Sequence, residues 1–179
     1  MAEFWRQEHW IFRALFLALA AFLLFFRLLP LGNAPGTLPG PDLLLCLILA
    51  WVIRRPDFLP MPLILAVILI EDLVLMRPPG LWTAIVVLGT EFLRSRAALT
   101  RELNLLVEWM LISGVMLGMM LAYRLVLGVA FVPQPAFGFA AVQVLWSMAL
   151  YPLVVALSQL TLDLRKPATG EVDNFGRRL

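Results

Sequence analysis

Six apolar runs, separated by proline, glycine and arginine, leave this chain few ways to fold. Crossing about 30 Å of hydrocarbon takes about 20 helical residues at 1.5 Å each. The run Ile11 to Leu29 has 19 residues and stops at Pro30 and Gly32. Pro60 and Pro62 open another that reaches Met76, where Pro78, Pro79 and Gly80 end it; proline fits a first helical turn because its missing N–H has no partner there. Leu105 to Phe131 and Phe139 to Leu162 are long enough to span with tilt, whereas Asp42 to Ile53 and Leu81 to Leu93 are short. Hydrophobic residues make up 62% of the chain and charged residues 15%, against about 45–50% and about 25% in soluble domains, more apolar surface than one core of this length absorbs. Backbone polar groups in lipid must pair within their own segment, so the runs are read as helices. The expected fold is an all-α polytopic membrane helical bundle of about six transmembrane helices. Residues 1–179 form a single integral membrane domain in this reading, with 163–179 as a tail.

Arginine in short loops orients such a bundle, because it is retained on the cytoplasmic side. With six spans and an inner N-terminus, Arg6, Arg54, Arg55, Arg94, Arg96, Arg101, Arg165, Lys166, Arg177 and Arg178 lie inside and only Arg77 outside. A five-span rival, with Asp42 to Ile53 re-entrant and the N-terminus outside, moves only Arg6. Six is favoured, with both termini cytoplasmic: Arg13 adds charge beside the first span, and Trp51 before Arg54 and Arg55 reads as an inner-interface anchor, a belt that Trp5, Trp10 and Trp109 extend. The first span is too long for the apolar core of a signal peptide, so an uncleaved helix is expected.

The formal charge of +2 is scattered through short loops, which argues against nucleic acid. One cysteine, Cys46, and one histidine, His9, exclude an internal disulfide and a Cys/His metal cluster. No span holds a histidine, no facing aspartate pair is evident and no phosphate-binding glycine loop occurs, so a non-enzyme without metal or cofactor is expected.

Charges inside a span mark function by default. Arg27, Asp42, Glu71, Asp72, Arg77 and Arg124 all fall toward the outer half, three acids with three bases, and fit a neutral polar network that holds helices in register. The competing reading has Arg27 and Arg124 snorkelling to headgroups. Adjacent helical residues point about 100° apart, so Asp72 is assigned inward and Glu71 toward Arg77 or the interface. Glu91 and Glu108 are expected at the cytoplasmic interface. The two short spans leave room for a small-molecule or lipid pocket with Asp42, Asp72, Arg27 and Arg124 near its mouth; local bilayer thinning is the alternative. Gly114 and Gly118 form a GxxxG step that admits a close helix, more readily one of the same chain than a partner's. Tyr151-Pro152 is expected to loosen the last span midway.

The run Glu71-Asp72-Leu73-Val74-Leu75-Met76-Arg77-Pro78-Pro79-Gly80-Leu81-Trp82, followed by an apolar helix ending in Glu91-Phe92-Leu93-Arg94, resembles the signature stretch of the rod shape-determining protein MreD family, in particular its alphaproteobacterial branch. Pro41-Asp42 leading through Ala50-Trp51 to Arg54-Arg55-Pro56 is similar to that family's second helix. The specific motifs lie within about Pro41 to Arg94, and the layout covers most of the chain. The resemblance implies a bacterial inner-membrane component of the machinery that inserts peptidoglycan along the side wall, without catalysis. It implies as partners the bitopic protein MreC, MreB-type filaments, RodA and a class B penicillin-binding protein. It also implies a layout similar to the substrate-binding subunits of energy-coupling-factor vitamin transporters. A membrane scaffold is therefore the leading expectation, with Arg94, Arg96, Arg101 and the basic tail available to filaments or anionic lipid. A small-molecule-binding subunit of a vitamin-type transporter is the alternative, and it assigns the ligand to Asp72.

Overall fold

The computed structural model describes residues 2–29, 39–97 and 104–162; Arg101 and the tail 163–179 lie outside the described residues, as do the side chains of Trp5 and Arg6. Those residues form six α-helices and one short 3-10 turn, with no strand among them. The helices are α1 (Ala2–Leu28), α2 (Leu43–Arg54), α3 (Met61–Val74), α4 (Leu81–Ser95), α5 (Leu105–Val129) and α6 (Phe137–Leu162); the 3-10 turn, Pro56–Phe58, joins α2 to α3. Helix α1 begins well before its apolar run, because hydropathy marks only the membrane-compatible part of a helix whose first turns are polar. Three segments, His9–Leu28, Leu105–Val129 and Phe137–Thr161, are long and apolar enough to cross a membrane.

Successive helices alternate in direction. The C-terminal ends of α1, α3 and α5 meet the N-terminal ends of α2, α4 and α6, as the Arg27–Asp42 and Arg27–Glu71 ion pairs and the Arg124 to Pro135 hydrogen bond require. At the opposite end, Phe12 of α1 stacks on Phe58 and Arg54 of α2 reaches Glu108 of α5.

Helix α2 is the axis of the bundle. Every residue from Leu44 to Arg54 is buried, and the helix packs chiefly on α6 and α4. Its 12 residues reach only about 18 Å, which suffices because its neighbours, and not lipid, surround it. Trp51 is fully buried against Phe16 and Phe12, so it is a core residue and not the interface anchor expected from its position before Arg54. The outer faces of the other helices carry Phe22, Phe25, Ile70, Leu121, Leu125, Leu153 and Leu160, all exposed. So continuous an apolar exterior is incompatible with a water-solvated monomer and suits a hydrocarbon surround.

Proline 152 sits inside α6 without ending it. Its missing N–H leaves the carbonyl of Met148, four residues earlier, without its helical donor, and the indole nitrogen of Trp109 supplies one at 2.8 Å. Trp109 thus closes a gap in α6 with its indole nitrogen, a packing role that the belt expectation did not include. Trp10, 63% exposed, does face outward.

Candidate functional site

Two polar clusters and several concavities lie among the described residues, and the six charges expected to form one network divide between an ion-paired group, a helix cap and a cavity wall. At one end of the bundle, Arg27 Nη1 lies 2.5 Å from Glu71 Oε1 and 3.3 Å from Asp42 Oδ1. Arg77 approaches the same Glu71 oxygen more loosely, at 3.7 Å. Asp42 is also the N-cap of α2, accepting from the Leu45 N–H at 3.1 Å, while its own N–H donates to the Ser147 hydroxyl of α6 at 2.8 Å. Four elements are thereby tied at one level. Arg27 keeps a quarter of its side chain exposed, yet it pairs with two acids, so snorkelling alone does not describe it.

Glu71 and Asp72 are both buried, Asp72 inward as assigned and Glu71 toward Arg77, the first of its two expected directions, and not toward the interface. They diverge around the helix, and each finds a different partner. Asp72 Oδ2 accepts from the Gly80 and Thr83 N–H groups, each at 3.1 Å, and from the Thr83 hydroxyl at 2.8 Å. Helix α4 begins at Gly80, whose φ of 86° needs glycine and which has no side chain to cap with. Asp72 therefore caps α4 from α3, placing a carboxylate at the positive end of the helix dipole. Between them, Met76 adopts a left-handed φ of 51°, and the Arg77 N–H returns to the Asp72 carbonyl at 2.9 Å. The stretch from Glu71 to Trp82 is one folded unit, its acids assigned to bundle and turn respectively.

Arg124 stands apart from this network. Its guanidinium donates to the Pro135 carbonyl at 3.0 Å and lies over the Phe137 ring, with no carboxylate within 4.0 Å among the described residues. It lines a cavity of about 300 Å³ with Arg77, Asp42, Gln134 and Gln143, whose apolar wall includes Trp82, Met116 and Met120. A pocket mouth was expected near Asp42, Asp72, Arg27 and Arg124; Asp42 and Arg124 line it, whereas Asp72 is held at the α4 terminus and Arg27 lines the adjoining cleft.

The second cluster was not foreseen as such. Arg54 Nη1 pairs with Glu108 Oε1 at 2.8 Å, each side chain 1% exposed, and the Tyr151 hydroxyl donates to the same oxygen at 2.8 Å. Glu108 was expected at a wet interface and Arg54 in a cytoplasmic turn; the structure buries both between α2, α5 and α6. Their positions at helix ends imitate interfacial residues, and the only hint of burial was a tyrosine and a carboxylate among long apolar runs. Arg94 likewise is half-buried, bonded to the Leu59 carbonyl and paired with Glu91 at 3.0 Å, so of the three arginines expected to serve partners only Arg96 is displayed among the described residues.

Among the described residues, no helix packs closely on the GxxxG step. Helix α5 meets α4 at Gly89, where an added Cβ would collide with the Met119 methyl group, so this glycine permits the approach. Gly114 and Gly118 have nothing within 4 Å of where a Cβ would stand. They floor an open apolar groove of about 610 Å³ between α4 and α5, bordered by Leu88, Phe92 and Met110. Met119 packs at Gly89, while Gly114 and Gly118 stay uncovered beside that contact.

No protein-family model, curated protein or solved structure matches this chain.

Proposed function

We propose that this chain is a non-catalytic membrane scaffold of the MreD type. It crosses the bacterial inner membrane six times with both termini in the cytoplasm, and it holds an MreC-like bitopic partner within the cell-elongation complex. The observation that carries the reading is the uncovered groove at Gly114 and Gly118. In lipid, helices associate by close packing and not by the hydrophobic effect, and two glycines one turn apart on an apolar face let a foreign backbone approach most closely. The buried charges support the same reading, since they join helix to helix: Arg27 with Glu71, Arg54 with Glu108, Asp72 with the start of α4. The groove is apolar throughout, which suits a single transmembrane helix better than a filament or a soluble domain. MreB-type filaments, RodA and a class B penicillin-binding protein would join through the partner or through Arg96 and the basic turns.

A photo-crosslinker at Met110, 62% exposed at the groove edge, tests this in native membranes. Capture of an MreC-like bitopic protein, lost in Gly114→Leu/Gly118→Leu, is expected, as is rounding of a rod-shaped host on depletion. Rod shape that survives complete depletion would refute the assignment. A second reading, the small-molecule subunit of a transporter, is favoured by the 300 Å³ cavity at the Asp42 end and predicts co-purification with an ATPase module.

A further inference from the structure

The cavity between α2, α5 and α6 combines features that the scaffold reading leaves unused. Its wall carries two guanidinium groups and one carboxylate. The carboxylate, Asp42, is already engaged by Arg27 and by the Leu45 N–H. Arg77 has only a 3.7 Å approach to a glutamate oxygen that Arg27 holds at 2.5 Å. Arg124 donates to one backbone carbonyl and has no acid within 4.0 Å among the described residues. Two cations thus border a low-dielectric space without a full counter-charge, and an anion there would lower the cost of keeping them ionised.

Their orientation favours a particular anion. The Arg77 guanidinium lies over the Trp82 ring at 5.7 Å and that of Arg124 over Phe137 at 5.4 Å. A guanidinium held near an aromatic face satisfies part of its charge there and still has N–H donors for a phosphate, Arg124 all but the one given to Pro135. Gln143 adds an amide beside them. Below this polar rim the wall is Leu45, Met116, Met120 and Leu127, with two methionines that adapt to an irregular apolar body. At about 300 Å³, the space of about ten waters at ~30 Å³ each, it holds a headgroup and the first carbons of a chain. A cleft of about 590 Å³, with Arg27 on its wall and apolar residues such as Leu23, Leu24 and Leu44 beside it, adjoins the cavity across Arg77, Phe139 and Gln143 and offers room for the rest.

We propose that this cavity is a binding site for a phosphate-bearing amphiphile, its phosphate held between Arg77 and Arg124 and its apolar portion against Met116 and Met120. The site does not depend on the scaffold reading. A membrane phospholipid and a soluble phosphorylated compound share the recognised group, and the test separates them.

The full chain, purified in detergent, is titrated with dioleoyl phosphatidylglycerol and followed by native mass spectrometry. One tightly held lipid is expected, weakened about tenfold or more by Arg77→Gln and by Arg124→Gln and unchanged by Arg96→Gln, whose guanidinium lies far from the cavity. Met120→Phe, which narrows the cavity without touching a charge, should also release the lipid, and it carries the test if the arginine variants do not stay monodisperse. Displacement of the lipid by millimolar glycerol 3-phosphate would identify a soluble ligand, and indifference to it a membrane lipid. Equal binding by wild type, both arginine variants and Met120→Phe, or no retained lipid together with no binding of glycerol 3-phosphate, would overturn the site.

Discussion

The two polar clusters sit about 18 Å apart along α2, by its 1.5 Å rise per residue, and differ in how much freedom their charges keep. At one end Arg27 is a quarter exposed, two acids share it, and Arg77 waits at 3.7 Å as a second cation. At the other, Arg54, Glu108 and Tyr151 are sealed, and each depends on the others. A sealed ion pair loses everything when one member goes, because the survivor has neither water nor headgroups to turn to. A partly exposed cluster has substitutes. The proposed ligand site therefore lies beside the cluster whose charges keep some freedom, and the sealed cluster at the Arg54 end serves packing alone.

Glu108→Ala should separate the two ends most strongly. It leaves Arg54 buried and unpaired, and a loss of about 3–5 kcal/mol is expected in thermal or denaturant unfolding in detergent. Arg54→Met with Glu108→Met should recover most of that, to within about 1–2 kcal/mol of wild type, because two well-packed apolar groups have no charge to desolvate. A double variant as unstable as the single would mean that the pair does more than satisfy itself.

Asp72→Ala comes next. It strips a cap from α4 and leaves the Gly80 and Thr83 N–H groups without their acceptor, at about 2 kcal/mol, and Asp72→Asn should restore part of that. Glu71→Gln should cost only about 1 kcal/mol, since Arg27 retains Asp42 and access to the surroundings. A penalty near that of Glu108→Ala would erase the distinction between the two ends. The smallest effect is a gain: Met76→Gly relieves a left-handed residue whose side chain is 93% exposed and makes no packing, and should stabilise by about 1 kcal/mol in the same assay.

Helix positions were legible because hydropathy and proline placement act locally. The starts at Leu43, Leu81 and Leu105 and the stop near Pro78 follow from residues within one turn. Depth along a helix was legible too, and it brought Arg27, Asp42 and Glu71 to one level. Rotation about the helix axis was not. Nothing local tells whether Glu108 faces headgroups or Arg54, whether Trp51 anchors or packs, or whether Gly114 meets its own chain. Those answers depend on which neighbour occupies each face, a property of helices far apart in sequence such as α2 and α6.

Taken alone, the order of residues determined that this chain's apolar runs are helical and that most of its charges gather near helix ends, since each follows from transfer energies and backbone pairing within single segments; the helix lengths then showed three segments long and apolar enough for a lipid crossing. Tertiary structure decided that α2 is an enclosed axis, that Asp72 caps a neighbouring helix, that Arg124 faces a cavity and that the glycine step lies open. A pairwise contact between distant helices exists only once their rotations are fixed together, and no single segment contains that information.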